Sequence, residues 1–317
     1  MGNEDILLTG ITKIFRTGFG KKKTAVDNLS LAVPRGEVVG LLGPNGSGKS
    51  TTLKMILGFL RPTAGEIQVC GQSSTERESR RQIGYLPENP RFQKFLTGYD
   101  LLDYYASLFG MGPAERKKRA EYLLELVGIS HAGHERVQGY SKGMTQRLAV
   151  AQALLNKPRL LIFDEPMSGL DPLGRMEIRK LIARVHDEMP ESTIFFSSHV
   201  LEDVEQLCSL VALLRKGRLK TYSAMDKLLN QEQQKFDITV GPVSNAIREK
   251  LFKGDPGRKT ALGICFTVEG TESLKNDLEE LTQNHIPIFN ITTHRRKLEE
   301  ALFLDDEEEK TTTGVSL

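Results

Sequence analysis

Gly43-Pro44-Asn45-Gly46-Ser47-Gly48-Lys49-Ser50 lies between an apolar run, Glu37–Leu42, and a stretch in which Leu53, Ile56, Leu57 and Leu60 share one helical face. A strand feeding a glycine-rich loop and then a helix is the setting in which G-x-x-x-x-G-K-[ST] cradles phosphate. Glycines let the backbone curl so that successive N–H groups converge on phosphate oxygens, and the helix N-terminus adds partial positive charge. The pattern predicts that Gly43 through Thr51 contact ATP, with Lys49 on the β- and γ-phosphates and the Ser50 hydroxyl on Mg²⁺. The pair Gly46 and Gly48 is not a dinucleotide fingerprint, because Thr51 stands where the third glycine belongs.

A second run, Leu160-Leu161-Ile162-Phe163-Asp164-Glu165-Pro166, reads as a buried strand ending in two acids. Carboxylates at the C-terminal edge of a parallel strand sit where ligands bind open α/β sheets. Asp164 suits a role holding Mg²⁺ through water, and Glu165 one orienting and polarising the attacking water.

From Ile6 to about Arg218, short β-rich runs alternate with helical patterns, the mark of an α/β domain with a largely parallel sheet. Glu37–Leu42, Ile83–Leu86, Leu160–Phe163 and Thr193–Ser197 are the expected strands. Between Thr97 and Asn156 the texture is helical: Thr97 and Asp100 have capping-box spacing, and a helix Ala114–Val127 stops at Gly128. After about Tyr222, alternating runs at Phe236–Val240, Ile264–Val268 and Ile286–Ile291 are each followed by a helical pattern: Ser244–Phe252, Thr271–His285 and Arg296–Leu304. The expected organisation is an ATPase domain over 1–222 with a helical subdomain at about 97–156, a small β-α domain over 223–304, and a disordered acidic tail over 305–317.

Composition excludes several classes. With 43 basic against 41 acidic residues the net charge is +2, so no global field recruits nucleic acid. No run of about 18 apolar residues predicts a membrane span. The acidic start lacks signal-peptide features, and Gly2 is followed at position 6 by Ile where a myristoylation motif needs Ser or Thr. Cys70, Cys208 and Cys265 form no CxxC pair and read as reduced cytosolic thiols. His131 and His134 are spaced H-x-x-H without a third ligand, so they read as loop residues.

Tyr140-Ser141-Lys142-Gly143-Met144-Thr145-Gln146-Arg147 resembles the L-S-G-G-Q signature of ABC ATPases, and other landmarks of that family fall in order around it. Phe15 matches the aromatic ring that stacks on adenine, Pro87-Glu88-Asn89 the Q-loop, Ser168-Gly169-Leu170-Asp171 the D-loop, and Ser198-His199 the switch histidine. The resemblance covers about residues 6–220 and implies an α/β P-loop NTPase core of the ABC ATPase type with the helical segment inserted. It implies a head-to-tail pair of identical subunits, in which Ser141 and Gly143 hold the γ-phosphate of ATP bound to the partner. It assigns catalysis to Lys49, Glu165 and His199, and Mg²⁺ to Ser50, Asp164 and Glu88. Three residues depart from the pattern. Glu88 replaces Gln, bringing more charge to the metal; Lys142 replaces the first signature glycine and either adds positive charge near the partner's phosphates or faces solvent, the latter being the expectation because backbone groups carry the motif; Tyr140 replaces Leu as a packing residue.

The family further implies a groove after Glu88 that receives a coupling helix of a transmembrane permease, with Phe92, Phe95, Leu96, Tyr99 and Tyr104 supplying large side chains. The ending Leu298-Glu299-Glu300-Ala301-Leu302-Phe303-Leu304 resembles the closing arm of bacterial export-type ABC ATP-binding subunits. The expected place is therefore the cytoplasmic face of the inner (plasma) membrane, held there by the permease. The alternative, a soluble ABC ATPase of translation or repair, would carry two cassettes or a long coiled-coil insertion, and neither is seen.

Overall fold

The computed structural model describes residues 3–16, 21–229, 235–252, 255–294 and 298–299. The chain divides into two compact units, Met1–Met225 and Asp226–Leu317. In the first, the elements follow in the order β1 (Glu4–Arg16), β2 (Lys22–Pro34), β3 (Val38–Leu42), α1 (Lys49–Ile56), β4 (Ala64–Val69), β5 (Gln72–Ser73), α2 (Arg77–Arg81), β6 (Ile83–Leu86), α3 (Gly98–Leu108), α4 (Pro113–Leu126), α5 (Lys142–Leu154), β7 (Leu160–Asp164), α6 (Pro172–Glu188), β8 (Thr193–Ser198), α7 (Leu201–Leu207), β9 (Leu210–Arg215) and β10 (Arg218–Ala224). A short helix, α8 (Met225–Leu229), follows.

The central sheet has the order β10-β9-β3-β8-β7-β6. Its β9-β3-β8-β7-β6 portion is parallel, and β10 returns antiparallel along β9. Strands β3, β7 and β8 are buried at every residue, as strands covered on both faces must be, which is why they read as continuous apolar runs. Strands β7 and β3 both flank β8, so the phosphate loop after β3 and the acids after β7 leave the same edge of the sheet, on either side of the strand that ends at Ser198.

A second, antiparallel sheet, β2-β1-β4-β5, was not legible in the motif pattern. Its long strands carry register shifts, four of them between β1 and β2, and each bulge resets the alternation that would announce a strand. Ile6, Leu8 and Ile11 of β1 and Val26, Leu29, Leu31 and Val33 of β2 nonetheless bury one continuous core with Leu53, Met55 and Ile56 of α1. The sheet thereby backs the helix that follows the phosphate loop.

The helical stretch behaves as its caps predict. Thr97 and Asp100 form a reciprocal capping box at the start of α3. Helix α4 opens with a proline in its first turn, and Gly128, at φ +73°, takes the left-handed conformation just past its end. Helices α3, α4 and α5 pack on one another.

The second unit contains β11 (Lys235–Val240), α9 (Asn245–Phe252), β12 (Arg258–Lys259), β13 (Ile264–Glu269), α10 (Thr271–Gln283) and β14 (Ile288–His294). Its antiparallel sheet has the order β12-β13-β11-β14, a β-α-β-β-α-β arrangement. Ile238, Val240, Phe252, Phe266, Val268 and Leu281 form its core, with the Phe252 and Phe266 rings stacked at 3.8 Å. The last strand starts at Ile288 rather than Ile286, and α10 ends before His285. His285 adopts a left-handed φ of +55°, which stops the helix, and Pro287 has no N–H to give to a ladder. The expected helix Arg296–Leu304 and the acidic tail lie outside the described residues, apart from Leu298, which is buried, and Glu299. No helix among the described residues is long and apolar enough to cross a membrane.

Candidate active site

The phosphate loop is held by its neighbours on both sides. The Gly43 N–H donates to the Ser198 carbonyl at 3.2 Å, and the Gly217 N–H donates to the Ser47 carbonyl at 2.8 Å. Two glycines are sterically required. A Cβ at Gly43 would lie 2.2 Å from the Leu214 carbonyl oxygen, and one at Gly48 only 2.6 Å from that of Ala25. Gly48 also sits at φ +110°, outside the range of L-residues. Gly48→Ala should therefore deform the loop and weaken ATP binding at least about tenfold, as the loss of one well-made charged hydrogen bond would. Fluorescent-nucleotide titration measures this, and an unchanged affinity would show that the loop's curl is not needed.

Lys49, at the first position of α1, is 6% exposed and donates to the Gly43 carbonyl at 2.6 Å. Its ammonium also lies 3.3 Å from Glu165 Oε1. The other oxygen of that carboxylate, Oε2, is 2.8 Å from His199 Nδ1. Glu165 thus joins the loop lysine to the histidine that follows β8. It does so from a left-handed backbone, φ +48°, an uncommon conformation for a residue with a side chain.

Asp164 faces the loop from the end of β7. Its Oδ1 accepts from Ser197 Oγ at 2.8 Å and lies 3.3 Å from Ser50 Oγ. A hydroxyl and a carboxylate oxygen converging in this way are the hard oxygen donors that Mg²⁺ takes, together with phosphate oxygens and water. The residues therefore fit the ion with a nucleotide present. Among the described residues no cluster of three His, Cys, Asp or Glu side chains could hold a metal alone. His134 instead stacks on Tyr99, with centroids 5.3 Å apart. Burial, then the charges of Asp164 and Glu88, push the Tyr85 phenol up to about 12, so it remains a neutral donor beside the acids.

A cleft of about 600 Å³ opens over this machinery. Phe15, Asn45, Gly46, Gly48, Lys49, Ser50, Thr51, Glu88, Glu165 and His199 line it, while Gly43, Pro44, Ser47 and Asp164 do not reach its wall. Phe15 is 37% exposed at the rim, with the Lys13 ammonium 5.5 Å from its ring centroid. Lys23 and Lys216 also line the cleft and were not expected there. Lys216 and Gly217 form the turn between β9 and β10, and no spacing in the sequence announces that this turn reaches the phosphate loop.

Ser141 and Gly143 are elsewhere. Ser141 caps α5, its Oγ accepting from the Met144 N–H at 3.1 Å, and neither residue lines the cleft. Lys142 is exposed, as expected, with its ammonium against Gly169 of the D-loop stretch. Gln146 ties α5 to the strand end: its buried side chain donates to the Pro166 carbonyl at 2.7 Å. Asp171 caps α6 through the Gly174 N–H. Tyr140 donates to the Ala132 carbonyl at 2.7 Å, so this departure from Leu makes a hydrogen bond as well as packing. Sequence reasoning missed Ser197 and the buried Asp203, which pairs with Arg175 and Arg179 to join α6 to α7.

Residues 26–168 match the ABC transporter family model. An ABC transporter ATP-binding protein of Synechocystis sp. (strain ATCC 27184 / PCC 6803 / Kazusa), itself uncharacterized, is 44% identical over 245 residues, 76% of this chain and 69% of that protein. The bacitracin transport ATP-binding protein BcrA of Bacillus licheniformis is 37% identical over 244 residues, 76% of this chain and 77% of its own length. Among solved structures, a dimeric ATP-binding cassette, MJ0796, in a post-hydrolysis state bound to ADP and Pi, superposes with a TM-score of 0.63 at 25% identity. That match covers 69% of this chain and 98% of the cassette.

Proposed function

The chain belongs to the ABC transporter ATP-binding proteins, and on that premise we propose that it binds and hydrolyses Mg²⁺-ATP between two copies of itself. The ATPase activity goes with the family; the roles given to single residues are our reading. The observation that carries it is convergence: Lys49 and His199 both meet Glu165, and Ser50 meets Asp164, inside one cleft.

Lys49 turns from Glu165 to the β- and γ-phosphates when ATP enters. Phe15 supplies a ring for the adenine. Glu165 takes a proton from the attacking water as its oxygen bonds to the γ-phosphorus, while the bond from that phosphorus to the β,γ-bridging oxygen breaks and ADP leaves. His199 orients the Glu165 carboxylate through its Nδ1. Ser50 and Asp164 would hold Mg²⁺, with Glu88 near its water, and the ion would supply positive charge against the phosphate oxygens.

A single chain leaves the γ-phosphate open on one side. Ser141 and Gly143, at the N-terminus of α5 and outside the cleft, would close it from the partner copy. The dimeric state of the MJ0796 cassette supports this arrangement. Ser141→Arg, placed in a Glu165→Gln background, should bind ATP within about threefold of its parent yet remain monomeric. Light scattering after size exclusion, with and without ATP, tests it; a dimer forming undiminished would remove Ser141 from the interface.

We place the pair at the cytoplasmic face of the plasma membrane, bound to a separate permease and driving export. That BcrA is a bacitracin transport ATP-binding protein supports coupling to a permease. Phe95, just before the helical segment, and Tyr104 and Leu108 of α3 are exposed and would offer apolar area to the permease's coupling helix.

A further inference from the structure

We propose that Ser197 is a positioning residue for hydrolysis, a single hydroxyl on β8 that sets both acids at the end of β7. The inference rests on the reading of the site given above. Strands β7 and β8 are parallel neighbours with Asp164 directly opposite Ser197, so the two side chains meet across the sheet. Ser197 is fully buried.

The direction of each hydrogen bond follows from chemistry. A hydroxyl has one proton and two lone pairs. The Glu165 main-chain N–H can only donate, and it points to Ser197 Oγ at 2.9 Å. The Ser197 proton is therefore free for Asp164 Oδ1, 2.8 Å away. That same oxygen is the one facing Ser50. The carboxylate is thus held between two hydroxyls, one fixed in the core and one on the phosphate loop.

The other half of the interaction acts on Glu165. Its left-handed φ of +48° is a conformation that a residue with a side chain adopts only when its surroundings hold it. The bond from its N–H to Ser197 is one such hold, and the conformation sends the side chain to Lys49 and His199. A serine beside Phe195 and Phe196 is costly to bury unless its hydroxyl is paired, and here it donates to the Asp164 carboxylate and accepts from the Glu165 main-chain N–H. Ser197 is buried and does not line the cleft, so it acts through Asp164 and Glu165.

Ser197→Ala and Ser197→Cys test this, with Ser197→Thr restoring the hydroxyl. In Ala and Cys, kcat for ATP should fall at least about tenfold, the scale of lost supporting contacts at metal sites, while the affinity for ATP without metal, read by fluorescent-nucleotide titration, stays within about threefold because Lys49 and the loop are untouched. Independently of turnover, the affinity for Mn²⁺ in the presence of ADP, read by paramagnetic resonance, should fall at least about fivefold in Ala and Cys and recover in Thr. Unchanged kcat and Mn²⁺ affinity in Ala would overturn the proposal. So would a joint collapse of kcat, metal-free ATP affinity and melting temperature with Mn²⁺ affinity intact, since that pattern describes a core residue only. Wild type and Glu165→Gln run alongside: if Glu165→Gln turned over normally, the reading of the site would have failed, whatever Ser197 did.

Discussion

Glu165→Gln should bind ATP and turn it over at well below a tenth of the wild-type rate, with a loss of about a hundredfold where proton abstraction limits the reaction. The amide is nearly isosteric with the carboxylate and can still accept from His199, whose Nδ1 is 2.8 Å from Oε2. What it cannot do is take a proton from water. The change also removes a negative charge beside the ammonium of Lys49, 3.3 Å away, where the polyanionic phosphates must come. ATP should therefore bind at least as tightly as in wild type, and the ATP-bound pair should accumulate. Phosphate-release kinetics together with size exclusion in ATP decide the matter. Unaffected turnover would mean that another group takes the proton.

Lys49→Ala should act a step earlier. The Lys49 ammonium reaches both the loop carbonyl of Gly43 and the carboxylate of Glu165. Losing a charged hydrogen-bond donor to phosphate costs about 2–3 kcal/mol, or about 30- to 150-fold in affinity. Glu165 would also lose its cationic neighbour in a site where it is 9% exposed, leaving His199 as its partner. Equilibrium dialysis with labelled ATP should thus show a large rise in Kd, whereas Glu165→Gln shows none. Equal affinities in the two variants would break the division of labour between lysine and acid. Lys49→Met, which keeps the aliphatic stem, separates loss of charge from loss of packing.

The contrast between the two variants rests on local and non-local information in different measure. The phosphate loop was legible because a strand, glycines at set intervals and a following helix all lie within about twenty consecutive residues. The strand ahead of Asp164 and Glu165 is legible for the same reason: the unbroken apolar run Leu160–Phe163 is what a strand covered on both faces requires, and β7 is buried at every residue. The capping box at Thr97 was local as well. The antiparallel sheet was not, because bulges break the two-residue alternation of β1. The sequence predicts packing alone for Tyr140; that its hydroxyl finds the Ala132 carbonyl depends on how the loop after α4 returns, which no periodicity encodes.

By itself, then, the sequence determined the chemistry available to this protein: a loop shaped for phosphate, a lysine to meet it, two acids at a strand end and a capped helix offering N–H groups to an anion. Each of these is a property of contiguous residues, governed by backbone sterics and short-range hydrogen bonding. Only the tertiary structure decided which of them meet. Ser50 and Asp164 are 114 positions apart, and their contact exists because β3 and β7 both pack beside β8. That strand order follows from burying apolar faces throughout the domain, not from any local signal. It brings Ser197 under both acids and joins Lys49 to His199 through Glu165, while leaving the Ser141 end of α5 outside the cleft.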